Sequence, residues 1–304
     1  MCLGIWLTAD GAVKFPGLNL GIEHLISGFE IFGITISLSG ILIAVALFLG
    51  WFIVEGLAKK TGQNSELYLD LALRVVVGGV IGARITYVVT HWNYYKAEPA
   101  QIFSLSQDGM SFLGALTAGL LISYAFCRKR KISWLQTCDT ALLGVVFGQI
   151  IGKVSDFFSR TNLGTYSKGP FAMQVEIADV NMTTMTLARK NAGMIVGDYL
   201  QVHPIFLYEL IAFLILYALM ALIYKNQKMP GIVLAVYLIE YGVVQFYMEF
   251  MRIDSVRMIG NVLTFEHLLA ISTTVFGLYV LYDCMKRQHI EQKNLPKHFF
   301  DTEE

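Results

Sequence analysis

Apolar residues recur along this chain in seven runs, 34–56, 69–92, 110–126, 137–158, 203–224, 230–251 and 263–284. Each reaches the roughly 17–25 residues that a helix needs to cross about 30 Å of hydrocarbon. Hydrocarbon offers the backbone no water, so each run must satisfy its own N–H and C=O groups as a helix. The expected fold class is therefore an all-α polytopic membrane protein with seven transmembrane helices. Composition agrees, with 55% hydrophobic and 15% charged residues, against about 45–50% and about 25% in a soluble domain. A net charge of zero leaves no electrostatic footprint for nucleic acid, so no such partner is expected. Cys2, Cys127, Cys138 and Cys284 follow no CxxC or metal-ligand spacing and read as isolated thiols. The N-terminus lacks a basic stretch ahead of an apolar core, so no cleaved signal peptide is expected.

Residues 1–33 form an N-terminal arm, 34–284 the helical domain and 285–304 a tail. In the arm, Leu20, Ile22, Leu25, Ile26, Phe29 and Phe32 suit the apolar face of a short interfacial helix, with an irregular surface arm as the alternative. The connection 159–202 is too long for a plain link, and its QVEIADV alternation suggests a small ordered head, with room for a hairpin. Lys59, Lys60, Arg128, Lys129, Arg130, Lys131, Lys225 and Lys228 fall in alternate connections that share a side with the basic tail. Cations favour the cytoplasmic side. The tail is therefore expected in the cytoplasm, with the N-terminus and the 159–202 head outside.

That orientation gives every intramembrane charge a depth. Arg84, Lys153, Asp156, His203, Glu209, Glu249, Arg252, Glu266 and His267 come from five runs and collect toward the outer ends. Only Glu240 lies near the middle. Charge inside a membrane is costly unless it is paired or faces a polar cavity. The clustering suggests a cavity for an amphiphile with an anionic head. Lys153 and Asp156, three apart, share a helix face, either as part of that cavity or as a self-neutralised pair between helices. Tyr241, Gln245, Glu249 and Arg252 share another face, as a site or as a polar seam.

Five stretches carry a resemblance: GARITYVVTHWNYY (82–95), DGMSFLGALTAG (108–119), GKVSDFFSRTNLG (152–164), VHPIFLYE (202–209) and YGVVQFYMEFMR (241–252). In order and spacing the chain resembles the phosphatidylglycerol–prolipoprotein diacylglyceryl transferase family over nearly its whole length. The resemblance implies transfer of the diacylglyceryl group of phosphatidylglycerol to the lipobox cysteine thiol in the signal peptide of a prolipoprotein, in a bacterial-type plasma membrane. It implies no cofactor, neither metal nor nucleotide. It points to Lys153, Asp156, His203 and Tyr241 as catalytic residues, and to Arg84, Lys153, Glu249 and Arg252 as phospholipid-binding residues. Tyr208, Glu209, Gly164 and Gln245 would support them.

The chain also departs from the pattern. Where the fourth-run signature resembles GRxGNFxNxExxG, Lys153 stands for Arg, Ser155 for Gly, Asp156 for Asn and Thr161 for Glu. Leu113 occupies a place usually held by His or an aromatic hydroxyl, Gln245 replaces an Arg, and Ser39 stands for Tyr. Lysine keeps the charge but loses the bidentate fork for phosphate. Two readings follow: a working transferase, or a member that holds phospholipid or a lipoprotein partner without transfer. A transporter would be expected to show broken helices and internal repeats, and neither is visible in the sequence.

Overall fold

The computed structural model describes residues 5–31, 34–97, 99–103, 109–180, 182–190, 193–226, 229–255, 257–259 and 262–294. Five strands come first among the described residues: β1 (Ile5–Asp10), β2 (Val13–Phe15), β3 (Leu20–Ile22), β4 (Leu25–Ile31) and β5 (Ile34–Ser37). Helices α1 (Leu38–Lys60), α2 (Ser65–Thr90), α3 (Trp92–Ala97), α4 (Phe112–Arg130) and α5 (Trp134–Ser159) follow. Next come β6 (Met173–Glu176), α6 (Met182–Lys190), β7 (Ile195–Val196) and β8 (Tyr199–Val202), then α7 (Ile205–Asn226) and α8 (Ile232–Glu249). A short β9 (Arg257–Ile259) and β10 (Leu263–Thr264) lead into α9 (Phe265–Asn294).

Among the described residues six helices are long and apolar enough to cross a membrane: α1, α2, α5, α7, α8 and α9 as far as Ile290. Large apolar side chains such as Leu47, Phe48, Ile215, Leu222 and Val275 point outward from them. Apolar surface on that scale requires a cover other than water; the chain is a polytopic membrane protein. The third apolar run is also helical, as α4, and its last turn carries Arg128, Lys129 and Arg130.

The chain divides into two compact units, residues 51–141 and the remainder. Within the smaller unit α2 packs on α4, where a side chain at Gly82 would strike the Ala118 Cβ and the Gly114 carbonyl. Asn64 caps α2 by accepting from the Glu66 N–H, and Ser111 caps α4 by accepting from the Gly114 N–H. In the larger unit α8 packs closely on α9. A Cβ at Gly242 would lie 2.3 Å from Thr274 Oγ1 and 2.6 Å from the Ala270 carbonyl, so only glycine fits there.

The N-terminal arm corrects the expectation for residues 20–32. Residues 20–22 and 25–31 are strands, neither an interfacial helix nor irregular; Phe32 lies outside the described residues. β4 pairs antiparallel with β1 on one side and β5 on the other, so its backbone is satisfied across strands. β2 and β3 leave that sheet for another of order β3-β2-β6-β8-β7, built jointly with the connection after α5. Val13 pairs with Val175, and Val175 with Leu200. All three are buried beneath α6 with Met173, Met185, Ala188 and Val202. The same core takes in Phe157 and Phe158 of α5 and Phe206 of α7, which anchors the sheet on the ends of those helices.

These contacts predict opposite outcomes for two glycines. Gly242→Ala should cost about 1–3 kcal/mol by overpacking and lower the melting temperature in detergent. Gly56→Ala, inside α1 with nothing within 4 Å of the added carbon, should raise stability by about 0.4–1 kcal/mol through a less flexible unfolded chain.

Candidate active site

The chain leaves α5 through two left-handed residues, Arg160 (φ 52°) and Asn162 (φ 58°). This reversal lays residues 163–165 between two other segments. Gly164 N–H donates to the His203 carbonyl at 3.0 Å, and His203 N–H donates to the Thr165 carbonyl at 2.9 Å. Thr165 N–H donates to the Met251 carbonyl at 2.6 Å, and Ile253 N–H to that of Leu163 at 3.4 Å. Gly164 is required here, because a Cβ would sit 2.6 Å from that of His203 and 2.8 Å from its carbonyl oxygen. The lacing brings the ends of α5, α7 and α8 together, and with them most of the expected site residues.

At the centre is Glu209 on α7, with 2% of its side chain exposed. Its Oε2 meets Lys153 Nζ of α5 at 2.8 Å and accepts from Asn162 Nδ2 at 2.6 Å. Its Oε1 accepts from Gln245 Nε2 of α8 at 3.1 Å. Lys153 also reaches Asp156 Oδ2 at 3.2 Å, and Asp156 Oδ1 accepts from Thr161 Oγ1 at 3.3 Å. Lys153 and Asp156 keep 21% and 26% of their side chains exposed, so this end of the cluster is open to a ligand while Glu209 is sealed. A buried carboxylate needs such partners, since an uncompensated one costs several kcal/mol.

Two further groups flank this cluster. His203 Nδ1 lies 3.3 Å from the Tyr208 hydroxyl, and burial pushes its imidazole below the ordinary range. Arg252 follows α8 and binds Asp254 through Nε and Nη2, both at 3.1 Å. The Asp254 hydrogen bonds hold the Arg252 guanidinium above its ordinary range against the effect of burial, and the carboxylates of Glu249 and Glu209 add to this. Glu249 is buried. Its Oε1 accepts from Ser255 Oγ at 2.9 Å and Thr264 Oγ1 at 3.0 Å, and its Oε2 lies 3.8 Å from Arg252 Nε. These residues line a recess of about 270 Å³ with Phe265 and Glu266. Tyr241 stacks with Tyr237 at 5.5 Å and Phe213 at 6.3 Å.

Arg84 belongs to the smaller unit. Its Nε, Nη1 and Nη2 donate to the carbonyls of Ile102, Gly109 and Gln101 at 2.9, 2.8 and 2.5 Å, and its guanidinium lies over the Tyr95 ring. Leu113 is exposed in the first turn of α4. Residues that reading the sequence did not single out include Asn162, Asp254, Ser255 and Thr264. Asn162 and Asp254 sit within a few positions of expected site residues, but nothing in their spacing marks them as partners. Thr264 and His267 form the reciprocal bonds of a capping box at the start of α9: His267 N–H donates to Thr264 Oγ1 at 3.2 Å, and Thr264 N–H to His267 Nδ1 at 3.1 Å.

A set of long apolar helices that joins an ammonium, one sealed and one partly open carboxylate and two carboxamides near the ends of α5, α7 and α8, against a small β-sheet, defines a membrane protein with a polar site at its helix ends. The profile of the prolipoprotein diacylglyceryl transferase family matches residues 27–282, and the chain belongs to that family. Among relatives named phosphatidylglycerol–prolipoprotein diacylglyceryl transferase, that of Finegoldia magna is 28% identical, over 86% of this chain and 96% of its own. That of Clostridioides difficile is 31% identical over 76% and 84%. That of a Synechocystis species is 29% identical over 88% and 90%.

The cluster predicts unequal effects at Glu209. Glu209→Ala strands Lys153, Asn162 and Gln245 and should destabilise by about 3–5 kcal/mol. Glu209→Gln, which keeps the shape and one acceptor, should cost clearly less. Chemical denaturation in detergent measures both.

Proposed function

We propose that this protein transfers the diacylglyceryl group of phosphatidylglycerol to the lipobox cysteine thiol of prolipoproteins at the outer face of a bacterial plasma membrane. Family membership supports the reaction. One observation carries the choice of site: Lys153 is anchored by the sealed Glu209 and shares its ammonium with the more open Asp156. The thiol sulfur bonds to the glyceryl carbon, the carbon–oxygen bond to phosphate breaks, and glycerol phosphate leaves. An unperturbed thiol has a pKa of about 8.5, so a proton acceptor raises the reactive thiolate fraction. Asp156 and the neutral His203 are the acceptors in this scheme. Lys153 and Arg252 face the phosphate, where charge grows as it departs. Tyr241 offers it a hydroxyl, and Glu249 holds the recess open beside Arg252. Glu209, Gln245 and Asn162 position Lys153, Tyr208 positions His203, and Gly164 permits the close packing beneath them. Arg84, whose donors are taken up by three carbonyls, we assign to holding Gln101, Ile102 and Gly109 against α2.

In this reading α4 is the seventh span. The ends of α1, α4 and α7, which carry Lys59 and Lys60, Arg128 to Arg130, and Lys225, face the cytoplasm. The five-stranded sheet lies outside. A second reading, a member that holds phospholipid or a lipoprotein partner without transfer, draws on one observation: Gln245, in place of an expected cation, donates to Glu209.

Purified protein supplied with phosphatidylglycerol and a lipobox peptide should yield the thioether. No product from folded protein would favour the second reading. Lys153→Ala should lower the rate at least about 10²-fold, the scale of one lost transition-state donor. Lys153→Arg should match or exceed the parent, because a planar fork meets Glu209 and phosphate bidentately. Burial lowers the His203 pKa from 6.5, so its neutral form should persist to more acidic pH. The stability it contributes is full above 6.5 and falls as pH drops through the lowered value. An acid limb of the rate below 6.5 that vanishes in His203→Gln assigns the proton to His203; an unchanged limb assigns it to Asp156.

A further inference from the structure

One helical turn further along α5 and α8 from the charged cluster lies a polar pair that the transfer scheme leaves unused. Gln149 precedes Lys153 by four residues on α5, and Tyr237 precedes Tyr241 by four on α8. Each therefore shares a face with a site residue, about 5.4 Å away along its helix. The two meet between the helices, where Gln149 Nε2 donates to the Tyr237 hydroxyl at 3.0 Å. The pair is not closed. Gln149 Oε1 is buried and receives no hydrogen bond, and among the described residues no acceptor takes the Tyr237 hydroxyl hydrogen. Glu240, three residues after Tyr237, does not serve, since its own buried Oε2 is without a hydrogen-bond partner. Turning the carboxamide end for end does not close the pair either: the hydroxyl then donates to Oε1, and the amide N–H groups are left over. In both arrangements a donor remains unused inside two helices long and apolar enough to cross a membrane. Hydrocarbon offers such a donor no acceptor, and leaving it unpaired is costly.

We infer that the Gln149–Tyr237 pair binds an ester carbonyl of the diacylglyceryl group, one turn beneath the phosphate. The inference rests on the transferase reading and adds a second contact to the same lipid. A phosphatidylglycerol whose phosphate faces Lys153 and Tyr241 carries its ester carbonyls a few covalent bonds nearer the membrane centre. A carbonyl oxygen accepts and does not donate, so it takes the unused hydrogen in either arrangement of the pair. Both residues remain partly exposed, which leaves an approach to them. Held at the phosphate and at an ester, the glyceryl unit between the two contacts loses its freedom to rotate, and the carbon that the sulfur attacks is aimed. The substrate class that follows is a diester lipid in preference to a diether.

The test supplies delipidated protein in detergent with an equimolar mixture of diacyl and dialkyl phosphatidylglycerol of matched chain length, with and without a lipobox peptide. Mass spectrometry reads the retained lipids and the two thioether products. The parent should retain and consume the diester over the diether by about fivefold, the scale of one net hydrogen bond. That preference should collapse in Tyr237→Phe or, where the carboxamide carries the donor, in Gln149→Leu; either collapse supports the inference and identifies the donor. A ratio taken within one preparation is insensitive to partial unfolding, and comparison with the parent cancels the intrinsic difference between the lipids. A pair that only holds the helices together would lower the use of both lipids alike. Equal use of the two lipids by the parent, or a preference that survives both variants, overturns the inference and leaves the transferase reading intact. Selective retention of the diester that one of the variants abolishes, with no product from either lipid, supports the ester contact and overturns the transferase reading.

Discussion

The contact between Lys153 and Glu209 sets the rest of the architecture. A carboxylate sealed from solvent must have its hydrogen bonds and countercharge delivered to it, and the chain delivers them from α5, from the turn after α5 and from α8. Each donor fixes the rotation of its helix about its own axis. Hydrophobic burial cannot do this inside a bilayer, because lipid and apolar side chains offer one another nearly the same environment. Directional polar contacts and close backbone approach carry the specificity. The close approach of α8 to α9 at Gly242 supplies the second element in the same unit.

Six of the expected departures, Ser39, Lys153, Ser155, Asp156, Thr161 and Gln245, are linked in space within the larger unit, while Leu113 belongs to the smaller one. Ser39 and Ser155 exchange long hydrogen bonds of 3.5 and 3.4 Å through each other's carbonyls. The Ser155 carbonyl accepts from Ser159, whose hydroxyl lies 3.0 Å from that of Thr161, and Thr161 donates to Asp156. Asp156 joins Lys153, Lys153 joins Glu209, and Glu209 joins Gln245. One continuous polar chain therefore passes through Ser39, Ser155, Thr161, Asp156, Lys153 and Gln245. Random loss at unconnected positions would leave buried groups stranded, each costing about 1–3 kcal/mol. Here each of the six meets a hydrogen-bonding or charged partner.

How much of this was legible in the sequence follows from the range of each interaction. The apolar runs were legible because the bilayer imposes a length on every span. The run at 110–126 is also a helix, α4, and the collection of charges near one end of several runs marked out Lys153, Glu209, Glu249 and Arg252. The strands of the N-terminal arm were not legible. β2 and β3 have three residues each, too few for a period, and the hydrogen bond from the Ala12 N–H reaches Glu176, 164 positions away. Reading residues 20–32 as a helix placed their apolar side chains on one face without knowing that β1 and β5 would bracket residues 25–31 and that β2 would pair with residues 20–22. Nor could spacing show that Arg84 would spend its donors on backbone carbonyls, since a carbonyl has no identity in the sequence.

The position of the polar cluster also has a physical reason. Deeper among the helices, Lys153 and Asp156 would face hydrocarbon and would have to give up their charge or their exposure. Out on the sheet they would face water, where an ion pair contributes at most about 1 kcal/mol. At the junction, the laced segments 163–165, 203 and 251–253 close off Glu209 from one side while leaving Lys153 and Asp156 partly open. Phe157, Phe158 and Phe206 carry the sheet's core directly onto the helix ends around it. That arrangement gives a low-dielectric wall behind the charges and an open approach in front of them, and low-dielectric surroundings strengthen electrostatic interactions.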